Sequence, residues 1–541
     1  MIKLKLNKCF WLVTIALLAT IFKLYLISGQ TFSPDYHNFH DQRLFVKLAD
    51  QLIQGHWLGE FNSLTLTKGP FYPIWLAMVH FLQVPLMLAD HLLYILACVL
   101  FAFALKPLVK NNASLTVIYV FLLFNPASFS YNYSLKLMSE SIYSALTMMV
   151  VSSAIGIFVR SLCYNKTDIK WAIGLGLSLA AFWLTRIGGV WIMPFIFVLI
   201  FFIIIGKNPV REITKAILIP LLIFTILAGG VAYINWCYYG VFATDDLYSR
   251  EFRSAYGQLL RVKQQDFDIT TPLPRKARLT ILPFSPSLTL LEPHLESIEK
   301  GHIYLNNQRE IKGSNVFQML RWAVDKAGYY HTYNQAAGFY NNLSGEINNA
   351  CASGKLDCYE KTQGFFPAWR TGNTYNFFQY SCNDLLYLCQ FTNINPWPLQ
   401  GLSDRKSLRI FNTFTGPKFI FSHRHGLTLN KISMKDKEKI SMLEAIGRCW
   451  QVIIVPLSLL AVLGYLFMVF SYLRTKTNAL ALIIASGILT AFLTRIIGVA
   501  YLQTTLWFES RFLSCAQPLL LMFIIFVLTA IWTRLRPDPL D

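Results

Sequence analysis

Long apolar runs dominate this chain and restrict what it can fold into. The first run, CFWLVTIALLATIFKLYLIS at residues 9–28, is long enough to cross a bilayer, and similar runs recur along the sequence. Only 14% of the 541 residues are charged, against about 25% in an average globular protein, and the mean hydropathy is +0.43. This pattern predicts an α-helical polytopic membrane protein.

The runs also divide the chain into regions. Ten transmembrane helices are predicted, at 9–28, 90–106, 113–131, 138–159, 171–185, 188–206, 215–237, 450–472, 478–494 and 513–533. Residues 238–447 contain no such run and are numerous enough for a soluble domain with its own core. We therefore expect membrane helices at 1–237, a soluble domain at 238–447 and further membrane helices at 448–541.

Lys and Arg residues predict the orientation, because short cytoplasmic loops are enriched in them. With the N-terminus inside, the inner loops contain Lys106 and Lys110; Arg160, Lys166 and Lys170; Lys207, Arg211 and Lys215; Arg474 and Lys476; and, in the C-terminal tail, Arg534 and Arg536. Every inner loop is therefore basic. The first run is long for a signal peptide and lacks a clean cleavage site, so we expect it to be retained.

The same rule decides two ambiguous regions. If residues 71–88 formed a full span, the basic loop 207–215 would lie outside, so we predict an interfacial or half-inserted helix there. The soluble domain at 238–447 is then extracytoplasmic. The short basic N-terminus and the lack of a eukaryotic retention signal favour a bacterial inner (plasma) membrane. The net charge of +19 is explained by the inner loops, and no zinc-finger or RNA-binding motif is present, so nucleic-acid binding is not expected.

Four of the ten cysteines lie in the predicted outer domain at regular spacing. Cys351 and Cys358 are seven residues apart, and so are Cys382 and Cys389. We expect two local disulfides, which would suit an oxidising compartment. Four free or buried thiols are the alternative.

Polar residues collect where the chain should meet the outer membrane surface. Residues 41–54 predict an amphipathic helix lying flat on the membrane, with Asp41 at its N-terminal end and Asp35 just before it. Two such carboxylates could act as a base or bind a divalent cation; a helix cap and a solvated side chain are the alternative.

Four more ionisable residues are predicted at the same face. Lys68 lies in TKGPFYPIW, Glu140 in LMSESIY, Arg186 in LTRIGG and Arg511 in FESRFLS, each at the outer end of a span or in an outer loop. Together they could bind an anionic lipid head group, whereas each alone could be an interfacial anchor. Arg495, in LTRIIG, is a further outer-end arginine to which we assign no role.

The order of these elements resembles the GT-C glycosyltransferases, in particular the bacterial branch related to protein O-mannosyltransferases and to the lipid A aminoarabinose transferase. The matching elements are Asp41, Arg43-Leu44, the flat helix and Gly55-His56-Trp57; Lys68-Gly69-Pro70-Phe71-Tyr72; Glu140; Thr185-Arg186; and Arg511-Phe512 with Pro518. The sequence departs from the pattern at His40, where the family often has a second acidic residue, and at Thr67, where the lipid A enzyme has a Glu. The resemblance therefore implies no particular metal site, and a divalent cation stays an open possibility.

The resemblance implies a GT-C-like fold and glycosyl transfer on the extracytoplasmic face. The donor would be a sugar on a polyprenyl phosphate that reaches the site within the membrane lipid. Asp41 would be the base, with Glu140 and Asp35 as further catalytic candidates. Lys68, Arg186 and Arg511 would bind the donor phosphate. The acceptor would be a protein, a glycolipid or a cell-envelope polymer.

Other readings fit parts of the same pattern. A lipid-linked sugar transporter or flippase would also need outer cations, but the sequence has no internal repeat or paired broken helices. A polysaccharide ligase that uses polyprenyl-diphosphate donors would have similar cationic needs. A non-catalytic receptor or scaffold would use Asp41 only as a helix cap.

Overall fold

The computed structural model describes residues 2–32, 39–186, 188–206, 208–264, 271–300, 310–360, 369, 371–392, 394–398, 410–411, 413–415, 432–506 and 510–532. Within these ranges the chain is helical and has no named β-strand. The helices are α1 (Ile2–Ile27), α2 (Phe39–Ile53), α3 (Phe71–Phe81), α4 (Leu86–Leu105), α5 (Asn112–Leu123), α6 (Glu140–Tyr164), α7 (Ile169–Thr185), α8 (Met193–Ile205), α9 (Val210–Tyr239), α10 (Arg250–Arg261), α11 (Arg275–Ile281), α12 (Pro286–Lys300), α13 (Gly313–Lys326), α14 (Tyr333–Ala352), α15 (Asn373–Gln390), α16 (Met434–Thr475), α17 (Ala479–Leu506) and α18 (Ala516–Trp532).

Several helices have the length and composition to cross a bilayer. Among the described residues seven qualify: Phe10–Ile27, Leu86–Leu105, Glu140–Tyr164, Val210–Tyr239, Met434–Thr475, Ala479–Leu506 and Arg511–Trp532. Each overlaps a predicted span, although Met434–Thr475 begins before the predicted 450–472 and Ala479–Leu506 runs beyond the predicted 478–494. The chain is a polytopic membrane protein. The predicted spans at 113–131, 171–185 and 188–206 fall on shorter apolar helices. The total of ten spans therefore stays a prediction.

The span predicted at 113–131 is shorter in the structure, because α5 ends at Leu123. Pro126 lacks a backbone N–H, and it disfavours helical geometry at Asn125, which is extended here (ψ 122°). The freed end of α5 is stabilised by Lys23 of α1, whose buried ammonium donates to the carbonyl of Leu123 at 2.6 Å. Hydropathy alone does not reveal that α5 ends at Leu123, because the residues that follow Leu123 are buried as well.

The segment 71–88 does not form one continuous helix. α3 ends at Phe81, a turn follows in which Gln83 has φ +55°, and α4 begins after Pro85. With 11 residues, α3 is about 16 Å long, whereas the hydrocarbon core of a bilayer is about 30 Å thick. Therefore α3 by itself is too short to cross.

The amphipathic helix expected at 41–54 is α2, which packs its apolar side against α3 and nearby loops. Phe45 is buried and meets the ring of Tyr72 edge-on, with the centroids 5.1 Å apart. Leu48 is buried in a small neighbouring cluster. This packing fixes α2 relative to the turn that precedes α3.

The main core surrounds α6, which is apolar on all sides and almost fully buried by its neighbours. Small residues let those neighbours approach closely. A Cβ on Gly156, for example, would lie 2.2 Å from the ring of Trp171 on α7. Close approach at small residues is typical of packed membrane helices.

A second core lies in α10–α14, the described parts of residues 247–356, which we call the helical unit. Its buried side chains include Phe252, Tyr256, Leu320 and Leu343. By contrast, α15 joins the main core through Leu388. The domain boundaries expected at 238 and 447 stay predictions.

The end of α4, the end of α6 and the beginning of α7, which border two of the basic loops, lie together. Arg160 at the end of α6 donates to the carbonyls of Phe103 and Ala104, and it lies 3.7 Å from Asp168. This is the side predicted to be cytoplasmic. The candidate site lies at the opposite ends of the same helices.

Candidate functional site

Lys68 is carried by a turn that is pressed against the end of α7. Two residues later, Pro70 caps the N-terminus of α3, and its carbonyl accepts from the backbone N–H of Ile74 at 3.1 Å. The missing N–H of proline costs no helical hydrogen bond at this position. A Cβ on Gly69 would lie 2.1 Å from the carbonyl oxygen of Leu184 and 2.8 Å from the carbonyl carbon of Thr185. Glycine is therefore required here by the close approach of two backbones.

Arg186 follows directly where α7 stops. Its backbone is extended (φ −145°, ψ 124°), and Gly188 then adopts a left-handed conformation (φ +96°) that other residues rarely take. The Arg186 guanidinium lies 4.2 Å from the ring centroid of Phe512 and 5.6 Å from that of Tyr143. These two aromatic faces hold the guanidinium in a partly buried position.

Glu140 and Arg511 lie at helix beginnings. Glu140 occupies the first turn of α6, where the helix dipole favours a carboxylate. Arg511 lies in the short 3₁₀ turn Ser510–Leu513 that leads into α18. Its Nη1 is 3.3 Å from the sulfur of Met138, just before α6.

Five predicted site residues form one chain of alternating charges. Lys68 Nζ donates to Asp41 Oδ2 at 3.0 Å, and Arg511 Nη2 lies 3.5 Å from the same oxygen. Arg511 Nη1 lies 3.6 Å from Glu140 Oε1, to which Arg186 Nη2 donates at 3.2 Å. Arg511 therefore bridges the two carboxylates. We call these five residues the charge network.

The charge network is largely removed from solvent. Glu140 is 3% exposed, Arg186 and Arg511 about 15%, and Asp41 and Lys68 24%. Burial opposes ionisation of Asp41, but the charges of Lys68 and Arg511 outweigh it and hold the pKa of this carboxyl below its usual value. Three cations and two carboxylates leave a net charge of +1.

A fourth cation lies beside the charge network. Arg495 on α17 donates to the carbonyl of Phe512 at 3.0 Å, and its guanidinium lies 6.0 Å from the ring centroid of Tyr143, which Arg186 also contacts. The sequence pointed to Arg495, because the same four residues, Leu-Thr-Arg-Ile, surround Arg186 at 184–187 and Arg495 at 493–496. Of the aromatic partners, Phe512 belongs to the Arg511-Phe512 element singled out in the sequence, whereas nothing in the sequence indicated Tyr143 as a site residue.

The remaining site predictions have different outcomes. Asp35 lies outside the described residues. Among those that are described, no three His, Cys, Asp or Glu side chains gather as a metal site would require. Both carboxylates of the charge network already contact cations. In this arrangement the site fits an anion.

One of the two predicted disulfides is present. Cys351 and Cys358 are bonded, with their Cα atoms 5.6 Å apart, because α14 ends at Ala352 and the chain turns back. The prediction of a Cys382–Cys389 disulfide was wrong, since both thiols are free. Both lie within α15, where seven residues span about 10 Å, beyond the roughly 7 Å that a disulfide can bridge.

Comparisons with known proteins give only a distant likeness. No protein-family model matches this chain, and no curated protein matches it in sequence. Among solved structures, the crystal structure of ArnT from Cupriavidus metallidurans bound to undecaprenyl phosphate aligns with 92% of this chain and 78% of that chain. The sequence identity is 10% and the TM-score is 0.28, so the resemblance is remote and carries no conclusion about this site.

Proposed function

We propose that this protein is an integral-membrane glycosyltransferase that moves a sugar from a polyprenyl-phosphate donor to an acceptor on the extracytoplasmic face. The membrane would be a bacterial inner membrane, with residues 238–447 outside. The acceptor is a hydroxyl-bearing protein, glycolipid or cell-envelope polymer. The proposal is supported by the composition of the charge network and by the ordered sequence elements that surround it.

The observation that carries the proposal is the convergence of Lys68, Arg186 and Arg511 at one face of the helix bundle. The chain brings them from three distant segments, and two are arginines, whose planar guanidinium groups match phosphate oxygens. Among the described residues, Nη1 of Arg186 is a buried donor with no hydrogen-bond acceptor. A phosphate oxygen would satisfy it.

The charge balance favours the transition state over the bound donor. A sugar phosphodiester carries one negative charge, and the leaving polyprenyl phosphate develops a second. The charge network together with Arg495 has a net charge of +2, which matches the leaving group better than the donor. Stabilisation that grows as the reaction proceeds is the kind that accelerates the chemical step.

Asp41 is the proposed base. The acceptor hydroxyl would give its proton to the Asp41 carboxylate while its oxygen bonds to the anomeric carbon. The bond from that carbon to the phosphate oxygen breaks, and its electron pair leaves with polyprenyl phosphate. Asp41 is a weak base while Lys68 and Arg511 hold it. A bound phosphate competes for these two cations, so Asp41 becomes more basic when the donor is present.

Glu140 has a different role in this proposal. It is almost fully buried and contacts Arg186 and Arg511, so it would orient both guanidinium groups toward the phosphate. Asp35 stays a further candidate for the base.

The test uses the purified protein with a panel of polyprenyl-phosphate sugars and a membrane extract as the source of acceptor. Release of free polyprenyl phosphate is followed by mass spectrometry for the wild type, Asp41→Asn and Asp50→Asn. Asp50 is a matched control, because it lies on the same helix and its carboxylate contacts Gln54 outside the charge network. We expect release by the wild type and by Asp50→Asn, and its loss in Asp41→Asn.

Other outcomes would point elsewhere. Equal release by all three proteins would remove Asp41 from the base role and leave the transferase activity in place. If the monophosphate donors are inert and polyprenyl diphosphate is released from diphosphate-linked donors added to the same assay, the ligase would be favoured instead. Movement of intact donor across a vesicle membrane, without release, would favour the flippase.

A further inference from the structure

The turn that carries Lys68 is attached to the helical unit, for which the proposed function gives no role. We propose that Arg321 of the helical unit is a positioning residue that fixes Lys68 within the charge network. This inference rests on the proposed function, since it assumes that Lys68 binds the donor phosphate. It assigns to the helical unit the task of holding one side of the phosphate site.

Arg321 reaches out of α13 to the loop that precedes Lys68. Its Nε and Nη2 donate to the carbonyl of Ser63 at 3.1 and 2.9 Å. Nη2 also donates to both carboxylate oxygens of Asp246 at 2.9 and 2.8 Å. Arg321 is 1% exposed, and the rings of Phe252 and Tyr330 lie beside it. The guanidinium is therefore fixed from several directions.

Two more hydrogen bonds tie the same loop to its surroundings. The hydroxyl of Ser63 donates to Asp325 Oδ2 at 2.6 Å. The backbone N–H of Asp246 donates to the carbonyl of Leu66 at 3.1 Å. Leu66 precedes Lys68 by two residues, so at most about 7 Å of chain separates this anchor from the Lys68 backbone.

The other side of Lys68 is fixed as well. Gly69 contacts the backbone at the end of α7, immediately before Arg186. Lys68 thus lies between an anchor at Asp246, which Arg321 holds, and an anchor on the membrane helices. Earlier in the same loop, the hydroxyl of Tyr239 on α9 contacts the carbonyls of Trp57 and Gly59, and Leu66 packs in the small cluster that contains Leu48.

Stability alone is a weak reason for this arrangement. Buried ion pairs stabilise a fold little, and apolar replacements of similar size are often at least as stable. A second buried arginine shows the difference: Arg278, also 1% exposed, pairs with Glu292 and Glu299 inside the helical unit. Among the described residues, the polar partners of Arg278 are Leu273, Glu292 and Glu299, and none of them belongs to the Lys68 loop. Of these two buried arginines, Arg321 is the one that contacts the loop leading to Lys68.

The experiment is a double-mutant cycle on binding of undecaprenyl phosphate to the detergent-solubilised protein. The variants are Lys68→Ala, Arg321→Lys and the combination, with Arg278→Lys as the matched control. Lysine keeps the charge but cannot make the forked contacts of arginine. Asp325→Ala is a milder second variant in case Arg321→Lys fails to fold.

We expect Lys68→Ala to weaken binding about ten- to a hundred-fold, the range for loss of a hydrogen bond to a charged group. Arg321→Lys and Asp325→Ala should weaken it in the wild type and have no further effect once Lys68 is alanine, because both act through Lys68. Arg278→Lys should leave binding unchanged. Equal losses in both backgrounds, or an equal loss from Arg278→Lys, would overturn the inference.

A second measurement separates this inference from the proposed function. Amide hydrogen exchange in residues 60–69 should rise in Arg321→Lys and stay unchanged in Arg278→Lys, whatever the ligand is. If exchange rises but Lys68→Ala binds undecaprenyl phosphate normally, the assignment of Lys68 to phosphate binding fails while Arg321 still positions the loop. If exchange does not rise, Arg321 does not position the loop.

Discussion

Replacing Glu140 with glutamine tests whether the charge network is held together by its buried carboxylate. Glu140 is 3% exposed and lies 3.2 Å from Arg186 and 3.6 Å from Arg511. At an effective dielectric constant of about 20, each contact is worth about 5 kcal/mol of Coulomb attraction. Desolvation of the three groups offsets a large part of this attraction. Removal of one partner from a buried pair is typically measured at about 3–5 kcal/mol.

Glutamine has nearly the same volume as glutamate, so no cavity adds to the loss. We therefore expect Glu140→Gln to lower the free energy of unfolding by about 3–5 kcal/mol. Adding Arg186→Met should recover part of this loss, because one uncompensated buried charge is then removed. The measurement is denaturant unfolding of the detergent-solubilised protein, followed by tryptophan fluorescence.

The control is Glu296→Gln. Glu296 contacts Arg275 at the shorter distance of 2.6 Å, but the two side chains are 34% and 52% exposed. Solvent screening should make this loss much smaller than the loss from Glu140→Gln. If Glu140→Gln costs no more than Glu296→Gln, or if Arg186→Met makes the variant still less stable, burial does not strengthen the contacts of Glu140 in the charge network.

Three further predictions concern other parts of the molecule. Burial raises the pKa of Asp384 to about 6, so the folded protein loses stability as the pH rises above about 4. The variant Asp384→Asn should therefore be about 3 kcal/mol more stable than the wild type at pH 7.5 and equal to it near pH 4. Equal stability of the two proteins at both pH values would contradict this prediction. Gly69→Ala should lower stability by about 1–3 kcal/mol in thermal unfolding and weaken undecaprenyl phosphate binding, because its Cβ would collide with backbone; unchanged melting and binding would refute the close approach. Thiol alkylation of the native protein, read by peptide mass spectrometry, should modify Cys382 directly but Cys351 and Cys358 only after reduction, and protection of Cys382 would contradict the assignment.

The helices were largely predictable, because the signals for them are local. Hydrophobic runs and periodicity depend on neighbouring residues, and they placed α1, α6 and α9 close to where they lie. The errors came where one local signal was followed and another was overlooked. Pro126 ends α5 inside the apolar run, and Lys23, one hundred residues before Leu123, then stabilises that end. α15 continues through Cys382 and Cys389 and holds their thiols apart.

The sequence by itself determined that this is a polytopic helical membrane protein, and it identified Asp41, Lys68, Glu140, Arg186 and Arg511 as candidates at helix ends. Hydropathy and helix dipoles act locally, so one chain is enough to reveal them. Only the tertiary structure decided that these five side chains meet. Their contacts join segments up to several hundred residues apart, and such contacts depend on packing at positions like Gly69 and Gly156, where two backbones or a ring leave no room for a side chain.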